Sequence, residues 1–98
     1  GYIVVLPDKL MGKIAVKKDS DLRRREIYSY NPETDTIENK LFELLTLKSE
    51  QYDKKEYKGY SVLTRNGGYT YLYKKSAAAA SLGLTEAQIR QMFKLYGQ

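Results

Sequence analysis

Apolar and polar positions form three strand-like patterns in the first third of the chain. Residues 2–6 (YIVVL) are a largely β-branched apolar run that ends at Pro7, which predicts a strand buried on both faces. Residues 13–17 and 26–30 alternate apolar with polar side chains, a pattern typical of half-exposed strands. The first two strands could pair as a hairpin, and residues 31–35 (NPETD) predict a turn after the third.

The middle of the chain holds the densest apolar segment. Because apolar residues crowd residues 38–48, we expect a central helix there that buries most of its surface. A short return strand that begins at residue 36 is the alternative. Residues 49–58 (SEQYDKKEYK) are charged and lack an apolar stripe, so we expect a surface connection. The apolar residues of the central segment are Leu41, Phe42, Leu44, Leu45 and Leu47.

A tyrosine-rich β-hairpin is predicted next. Two β-rich runs, residues 59–64 and 69–73, flank residues 65–68 (RNGG). An Asn-Gly step between two such runs is a strong short-range signal for a hairpin. Because successive side chains of a strand point to opposite faces, Tyr69, Tyr71 and Tyr73 would share one face of the second strand.

The C-terminal region, residues 75–93 (KSAAAASLGLTEAQIRQMF), predicts two short helices joined by a sharp turn. Ser76 can cap the first helix, and the alanines that follow have high helix propensity. Gly83 suits a left-handed turn, and Thr85 with Gln88 matches a capping box at the start of the second helix. The expected inward-facing residues are Leu82, Leu84, Ile89, Met92 and Phe93.

These elements predict one α+β domain over residues 1–98, with small N-terminal β-strands, a central helix, a Tyr-rich β-hairpin and a C-terminal helix-turn-helix. Residues 1–58 would hold the strands and the apolar helix, residues 59–73 the hairpin and residues 75–96 the helix-turn-helix. At this length one modest core is expected rather than two.

The spacing of Ala79, Gly83 and Ile89 follows the pattern A-x3-G-x5-I. With this spacing the segment resembles the DNA-binding helix-turn-helix of phage repressors and Cro-type proteins. The resemblance implies that the second helix enters the major groove of duplex DNA. A plain helical hairpin packed on a sheet is the alternative interpretation.

A second resemblance concerns residues 71–89 (YLYKKSAAAASLGLTEAQI), in which a strand runs into a Ser-initiated helix. This segment is similar to the modular DNA-binding repeats of homing endonucleases, which tether a nuclease to its site. Both resemblances cover only the C-terminal segment, and both imply DNA as the partner.

Charge is distributed unevenly along the chain. Residues 1–51 carry nine Lys/Arg and nine Asp/Glu, whereas residues 52–98 carry eight Lys/Arg and three Asp/Glu, which accounts for the net charge of +5. A basic C-terminal half is typical of a surface that faces phosphates, although a net charge of this size also serves solubility. The cluster of residues 23–25 (RRR) could grip phosphates, or could be a solvated segment neutralised by nearby carboxylates.

The resemblance to Cro-type proteins assigns roles to particular side chains. In a Cro-like geometry Arg90 would read guanine through O6 and N7. Glu86 would accept from cytosine N4 or repel phosphate in the wrong register. Separately, the basic C-terminal half makes Arg65, Lys74 and Lys75 the expected phosphate anchors. The full predicted DNA-binding set is Arg65, Lys74, Lys75, Ser76, Thr85, Glu86, Arg90 and Gln91.

Composition narrows the possible functions. The chain has no cysteine and no histidine, which removes disulfides, thiolate zinc sites and the usual general base. Asp8 with Glu38 or Glu56 formally matches a metal-dependent nuclease pattern, but such short matches arise readily by chance. We therefore expect no enzyme activity, no cofactor and no bound metal, and a cytoplasmic protein without a membrane segment.

The favoured function at this point is a small double-stranded-DNA-binding regulator or accessory factor of phage or mobile-element type. Two other classes stay open. The C-terminal helices could dock a protein partner or a second copy, giving a homodimer. Alternatively, the tyrosine face of the hairpin could stack the bases of single-stranded nucleic acid, although tyrosines of this kind also pack well between strands.

Overall fold

An antiparallel five-stranded sheet dominates the computed structural model, which describes residues 2–19 and 23–95. The strand order is β2-β3-β4-β6-β5, and a separate two-stranded sheet joins β1 and β7. The strands are β1 (Tyr2–Val4), β2 (Ile14–Asp19), β3 (Arg24–Asn31), β4 (Thr36–Lys48), β5 (Ser61–Asn66), β6 (Tyr69–Lys75) and β7 (Phe93–Leu95). The α-helices are α1 (Ala78–Ser81) and α2 (Glu86–Met92).

The predicted α+β class, with its central helix, is wrong. Residues 38–48 belong to β4, a strand of 13 residues that pairs with β3 on one side and β6 on the other. A central strand is covered on both faces, so its apolar residues run together and imitate the pattern of a buried helix. All five side chains of residues 41–45 are buried, which is the physical reason for the misleading density.

The predicted C-terminal helix-turn-helix is also wrong. α1 is a single turn of four residues, and α2 ends at Met92 after seven. Helices this short have little stability of their own. After Met92 the chain continues directly into the strand β7. There Phe93 pairs with Val4, and its ring lies 4.9 Å from that of Tyr2. The predicted element extended to residue 96, which lies outside the described residues.

Some local predictions for this region are confirmed. Thr85 Oγ1 accepts a hydrogen bond from the Gln88 amide at 3.2 Å, and Gln88 Oε1 accepts one from the Thr85 amide at 2.9 Å, completing the capping box. Gly83 adopts a φ of 67° between the helices. The predicted Ser76 cap is wrong, because α1 begins after Ala77 without a side-chain cap, and Leu82 is exposed rather than inward-facing.

One face of the sheet carries most of the core. The helices and the turn between them contribute Ala79, Leu84, Ile89 and Met92, all of them almost completely buried. These side chains belong to one cluster with residues of β3, β4 and β6, so the short helices cover one face of the sheet. The strand residues of the cluster are Ile27, Leu41, Phe42, Leu44 and Tyr73.

The N-terminal strands differ in part from expectation. Residues 2–6 form only the three-residue β1, and Ile3 and Val5 are each 49% exposed, so burial on both faces is wrong. The predicted hairpin between the first two strands is also wrong, because β1 pairs with β7 and β2 with β3. The turn at residues 31–35 and the hairpin of β5 and β6 are confirmed. No helix among the described residues has the length and apolar character needed to cross a membrane.

Candidate functional site

The predicted phosphate anchors Lys74 and Lys75 lie on opposite faces of β6. Lys74 pairs with Glu43 of β4, and Lys75 pairs with Phe42. Residues paired across an antiparallel ladder share a face, and neighbours along a strand alternate between faces. Lys75 therefore lies on the face that carries the core, and Lys74 on the other, so a single flat surface cannot use both.

Arg65 and Arg90 lie on different elements and contact different rings. Arg65 of β5 is exposed, and its guanidinium carbon lies 5.7 Å from the ring centroid of Tyr52. Arg90 of α2 lies over Tyr73 at 5.2 Å. Arg65 and Arg90 therefore contact different tyrosines, and the structure does not bring them together at one DNA-binding surface.

The other predicted residues of the C-terminal region either form hydrogen bonds within the protein or are exposed on α2. Ser76 is half-buried, and its amide donates a hydrogen bond to the Leu41 carbonyl at 2.8 Å. Thr85 forms the cap of α2, while Glu86 and Gln91 are exposed on that helix. With Arg90, the exposed charges of α2 sum to zero, which does not favour contact with phosphates.

The tyrosine face of the hairpin is mostly part of the core. Tyr71 is 7% exposed and Tyr73 is 2% exposed, so neither ring is free to stack on a base. Tyr71 instead contacts Tyr2 edge-to-face, with ring centroids 5.9 Å apart. Only Tyr69, at the turn end of the strand, remains half-exposed.

A buried carboxylate organises the face opposite the core. Glu43 is 7% exposed, and its Oε2 lies 3.3 Å from Arg24 Nε while its Oε1 lies 3.6 Å from Lys40 Nζ. The Arg24 Nε–H contact is an ion pair without hydrogen-bond alignment. Burial, together with a hydrogen bond to Glu43, raises the pKa of the Tyr60 hydroxyl. Two basic side chains thus neutralise a charge that would be costly to bury alone.

Beside this network lies a groove with a volume of about 560 Å³, which we call the arginine groove. It runs between the start of β3, the end of β4 and the connection of residues 49–60. Leu45, Thr46 and Leu47 of β4 line it on one side. The other lining residues are Arg23, Arg24, Lys48, Gln51, Glu56 and Tyr57, which give a formal charge of +2.

The connection over the groove is fixed at its start. The Ser49 amide donates to the Gly68 carbonyl at 2.8 Å, and Ser49 Oγ is 2.8 Å from Oγ1 of the buried Thr70. Further along, the Tyr57 amide donates to the Asp53 carbonyl at 3.0 Å. The connection thus begins with a 3-10 helix (Ser49–Gln51), and its later turn holds Tyr57 at the groove.

Arg23 combines an unusual backbone conformation with a position at the groove. Its φ is 49°, in the left-handed region that non-glycine residues seldom adopt, and its carbonyl accepts a hydrogen bond from the Thr46 amide at 3.2 Å. Its guanidinium carbon lies 5.0 Å from the Tyr69 ring centroid. A hydrogen bond from Arg23, its positive charge and the charge of Lys48 together lower the pKa of Tyr69. This phenol therefore reports a positive potential beside the groove.

Three tyrosines of the connection form a row that we call the tyrosine triad: Tyr52, Tyr57 and Tyr60. Tyr52 and Tyr57 are stacked with ring centroids 6.2 Å apart, and Tyr57 and Tyr60 meet edge-to-face at the same distance. Arg65 lies over the first ring and Lys74 over the last, at 5.7 and 5.5 Å. Such cation–π contacts hold the ends of the row.

The groove, the connection of residues 49–60 and the neighbouring Glu43, Arg65 and Lys74 together hold eight basic residues and four acidic ones, which gives a net charge of +4. The acidic residues are Glu43, Glu50, Asp53 and Glu56. The basic residues are Arg23, Arg24, Lys48, Lys54, Lys55, Lys58, Arg65 and Lys74. Two of them, Arg65 and Lys74, belong to the set predicted from sequence.

The arginine groove was not predicted from the sequence. Lys48, Gln51 and Tyr57 lie in or next to a segment that looked like a plain connection, and the arginine cluster was not linked to them. The available signal was the spacing of Tyr52, Tyr57 and Tyr60 among lysines. Within residues 2–19 and 23–95, no group of three or more Asp or Glu residues is placed to hold a metal ion.

Comparisons of the chain with protein-family models, with curated proteins and with solved structures find no match.

Proposed function

We propose that this protein binds nucleic acid, with the sugar–phosphate backbone of the ligand in the arginine groove. The observation that carries the proposal is the convergence of Arg23, Arg24 and Lys48 around a groove that also presents the ring of Tyr57. Guanidinium and ammonium groups supply the charge that phosphates require, and aromatic rings supply stacking surfaces for bases.

Charge and backbone geometry support the same surface. The +4 charge of the groove and its surroundings would attract a polyanion, and its neutralisation would release counterions from the nucleic acid. A residue held at positive φ costs free energy that the surrounding structure must supply, and such positions cluster at functional sites. Arg23 is one of two non-glycine residues at positive φ in the described chain.

Docking of a protein through the C-terminal helices receives less support. The large apolar side chains of α2, Ile89 and Met92, are buried against the sheet, as is Leu84 before it. Leu82 is exposed as a single side chain, which is normal for a soluble domain surface. The proposed ligand is therefore a polyanion rather than an apolar partner.

Fluorescence anisotropy with labelled oligonucleotides at a series of salt concentrations tests the proposal. Replacing two cations of the groove (Arg23→Gln with Lys48→Gln) should flatten the dependence of log K on log salt by about 1.4, at roughly 0.7 for each phosphate contact with a single strand. The matched control replaces Lys13 and Lys75, which lie away from the groove, and should leave most of the affinity intact. Equal losses in both double variants, or no binding by the unaltered protein at low salt, would contradict the proposal.

A further inference from the structure

We propose that the nucleic acid bound in the arginine groove is single-stranded and that one of its bases stacks on the ring of Tyr57. This inference rests on the proposed function and specifies the form of its ligand. Tyr57 lies in the groove lining together with Arg23 and Lys48, so a phosphate and its adjoining base can be bound at the same place.

The tyrosine triad prepares Tyr57 for this contact. Its ring lies between those of Tyr52 and Tyr60, with both centroid distances at 6.2 Å, and the flanking rings are covered by Arg65 and Lys74. A ring already held by its neighbours loses little conformational freedom when a ligand binds. Of the three, Tyr57 alone lines the groove, where it presents an ordered ring.

The chemistry of stacking selects an unpaired strand. In a duplex each base is covered above and below by its neighbours, so an aromatic side chain on a protein surface can reach a base face only after unstacking. A single strand exposes its bases, and every base offers a π-face, so no particular sequence is required. The groove volume of about 560 Å³ lies in the range of small-ligand pockets, which is enough for a base and its sugar.

The surroundings favour a strand over a free nucleotide. Exposed lysines flank Tyr57 along the connection at positions 54, 55 and 58, outside the groove. Neighbouring phosphates of a longer ligand would meet these side chains, and an isolated nucleotide would not. Affinity should therefore rise with oligonucleotide length until the surface is covered.

The test compares two substitutions of the same side chain. Tyr57→Leu keeps an apolar side chain without a π-face, and Tyr57→Phe keeps the ring without the hydroxyl. Affinity for oligodeoxythymidine, measured by fluorescence anisotropy, should fall by about tenfold in the leucine variant and stay within about twofold in the phenylalanine variant. Affinity for a duplex of the same length should be equal in all three proteins. The melting temperatures of the variants check that each one is folded.

A strand that carries abasic residues provides a complementary measurement. The unaltered protein should bind it about as weakly as Tyr57→Leu binds oligodeoxythymidine, because both remove the same stacking contact. If Tyr57→Leu binds both ligands like the unaltered protein while the Arg23→Gln, Lys48→Gln double variant loses both, the groove binds phosphates and the single-strand inference is wrong. If neither variant changes binding, both proposals are wrong.

Discussion

The guanidinium of Arg23 covers the ring of Tyr69 at 5.0 Å, and this contact joins the start of β3 to the turn end of β6. β4 lies between these strands, so the contact crosses over the end of the central strand. It places a positive charge and an aromatic ring side by side at the edge of the arginine groove.

Replacing Arg23 by glutamine should raise the pKa of Tyr69. The cation stabilises the phenolate, so the pKa lies below the ordinary value of 10.0 in the intact protein and should return toward it in the variant. A pH titration of the Tyr69 ring carbons by NMR measures the change. Tyr30 serves as the control, because its pKa is raised by a hydrogen bond to Asp35 and should not respond. A Tyr69 pKa that is the same with and without the arginine would contradict the contact.

Because the backbone of Arg23 is left-handed, glycine should be more stabilising than alanine at this position, the reverse of the usual order. Both Arg23→Ala and Arg23→Gly remove the side chain, so their difference isolates the backbone. Alanine pays about 1–2 kcal/mol to adopt a positive φ, partly offset by the greater unfolded-state entropy of glycine. We expect the glycine variant to be more stable by about 0.5–1 kcal/mol in urea unfolding. An alanine variant more stable than the glycine variant would exclude this conformation.

The ion pair between Arg24 and Glu43 predicts a measurable coupling. Arg24→Leu leaves the nearly buried carboxylate with Lys40 as its remaining cation, and should lower the free energy of unfolding by about 1–3 kcal/mol. Adding Glu43→Gln removes a carboxylate that has lost one of its two cations, and should recover part of that loss. A double-mutant cycle by chemical denaturation gives the coupling energy. Strictly additive losses would mean that the two side chains do not interact.

Acid should weaken the polar face of the sheet through Glu26. A hydrogen bond from Lys40 is the main cause that lowers the pKa of this carboxyl below 4.5. Because the folded-state pKa is the lower one, the stabilisation is present above the unfolded-state value and is lost as the pH falls through the folded-state value. The pair is partly exposed, so we expect less than about 1 kcal/mol. The difference in unfolding free energy between the intact protein and Glu26→Gln should shrink as the pH falls below 4.5. A constant difference would contradict the interaction.

Turns and helix starts in this chain were predictable where they depend on short sequence signals. The Asn-Gly step placed the β5–β6 turn, and Thr85 with Gln88 placed the start of α2, because each signal acts within a few residues. The class of β4 was not predictable in the same way. Its apolar run is compatible with a helix or a central strand, and the choice depends on β3 and β6, which are distant in sequence.

The candidate site was harder to predict than the elements. Arg23 and Lys48 come together only because β3 and β4 are antiparallel neighbours, and Tyr57 reaches them only because the connection folds back over the sheet. Lys74 and Lys75, adjacent in sequence, are separated by the same strand geometry. The basic character of the chain was visible in its composition, but which basic residues line the groove depends on the register of the strands.

The most direct test of the central claim is an NMR titration of isotopically labelled protein with oligodeoxythymidine. We expect the amide shifts that change most to lie around the arginine groove, at residues 23–24, 45–48 and 51–57. The amides of α2, including Glu86 and Arg90, should change little, because the buried side chains of that helix pack in the core cluster, which includes none of the groove-lining residues. Changes confined to α2, with the groove unaffected, would contradict the arginine groove as the nucleic-acid site.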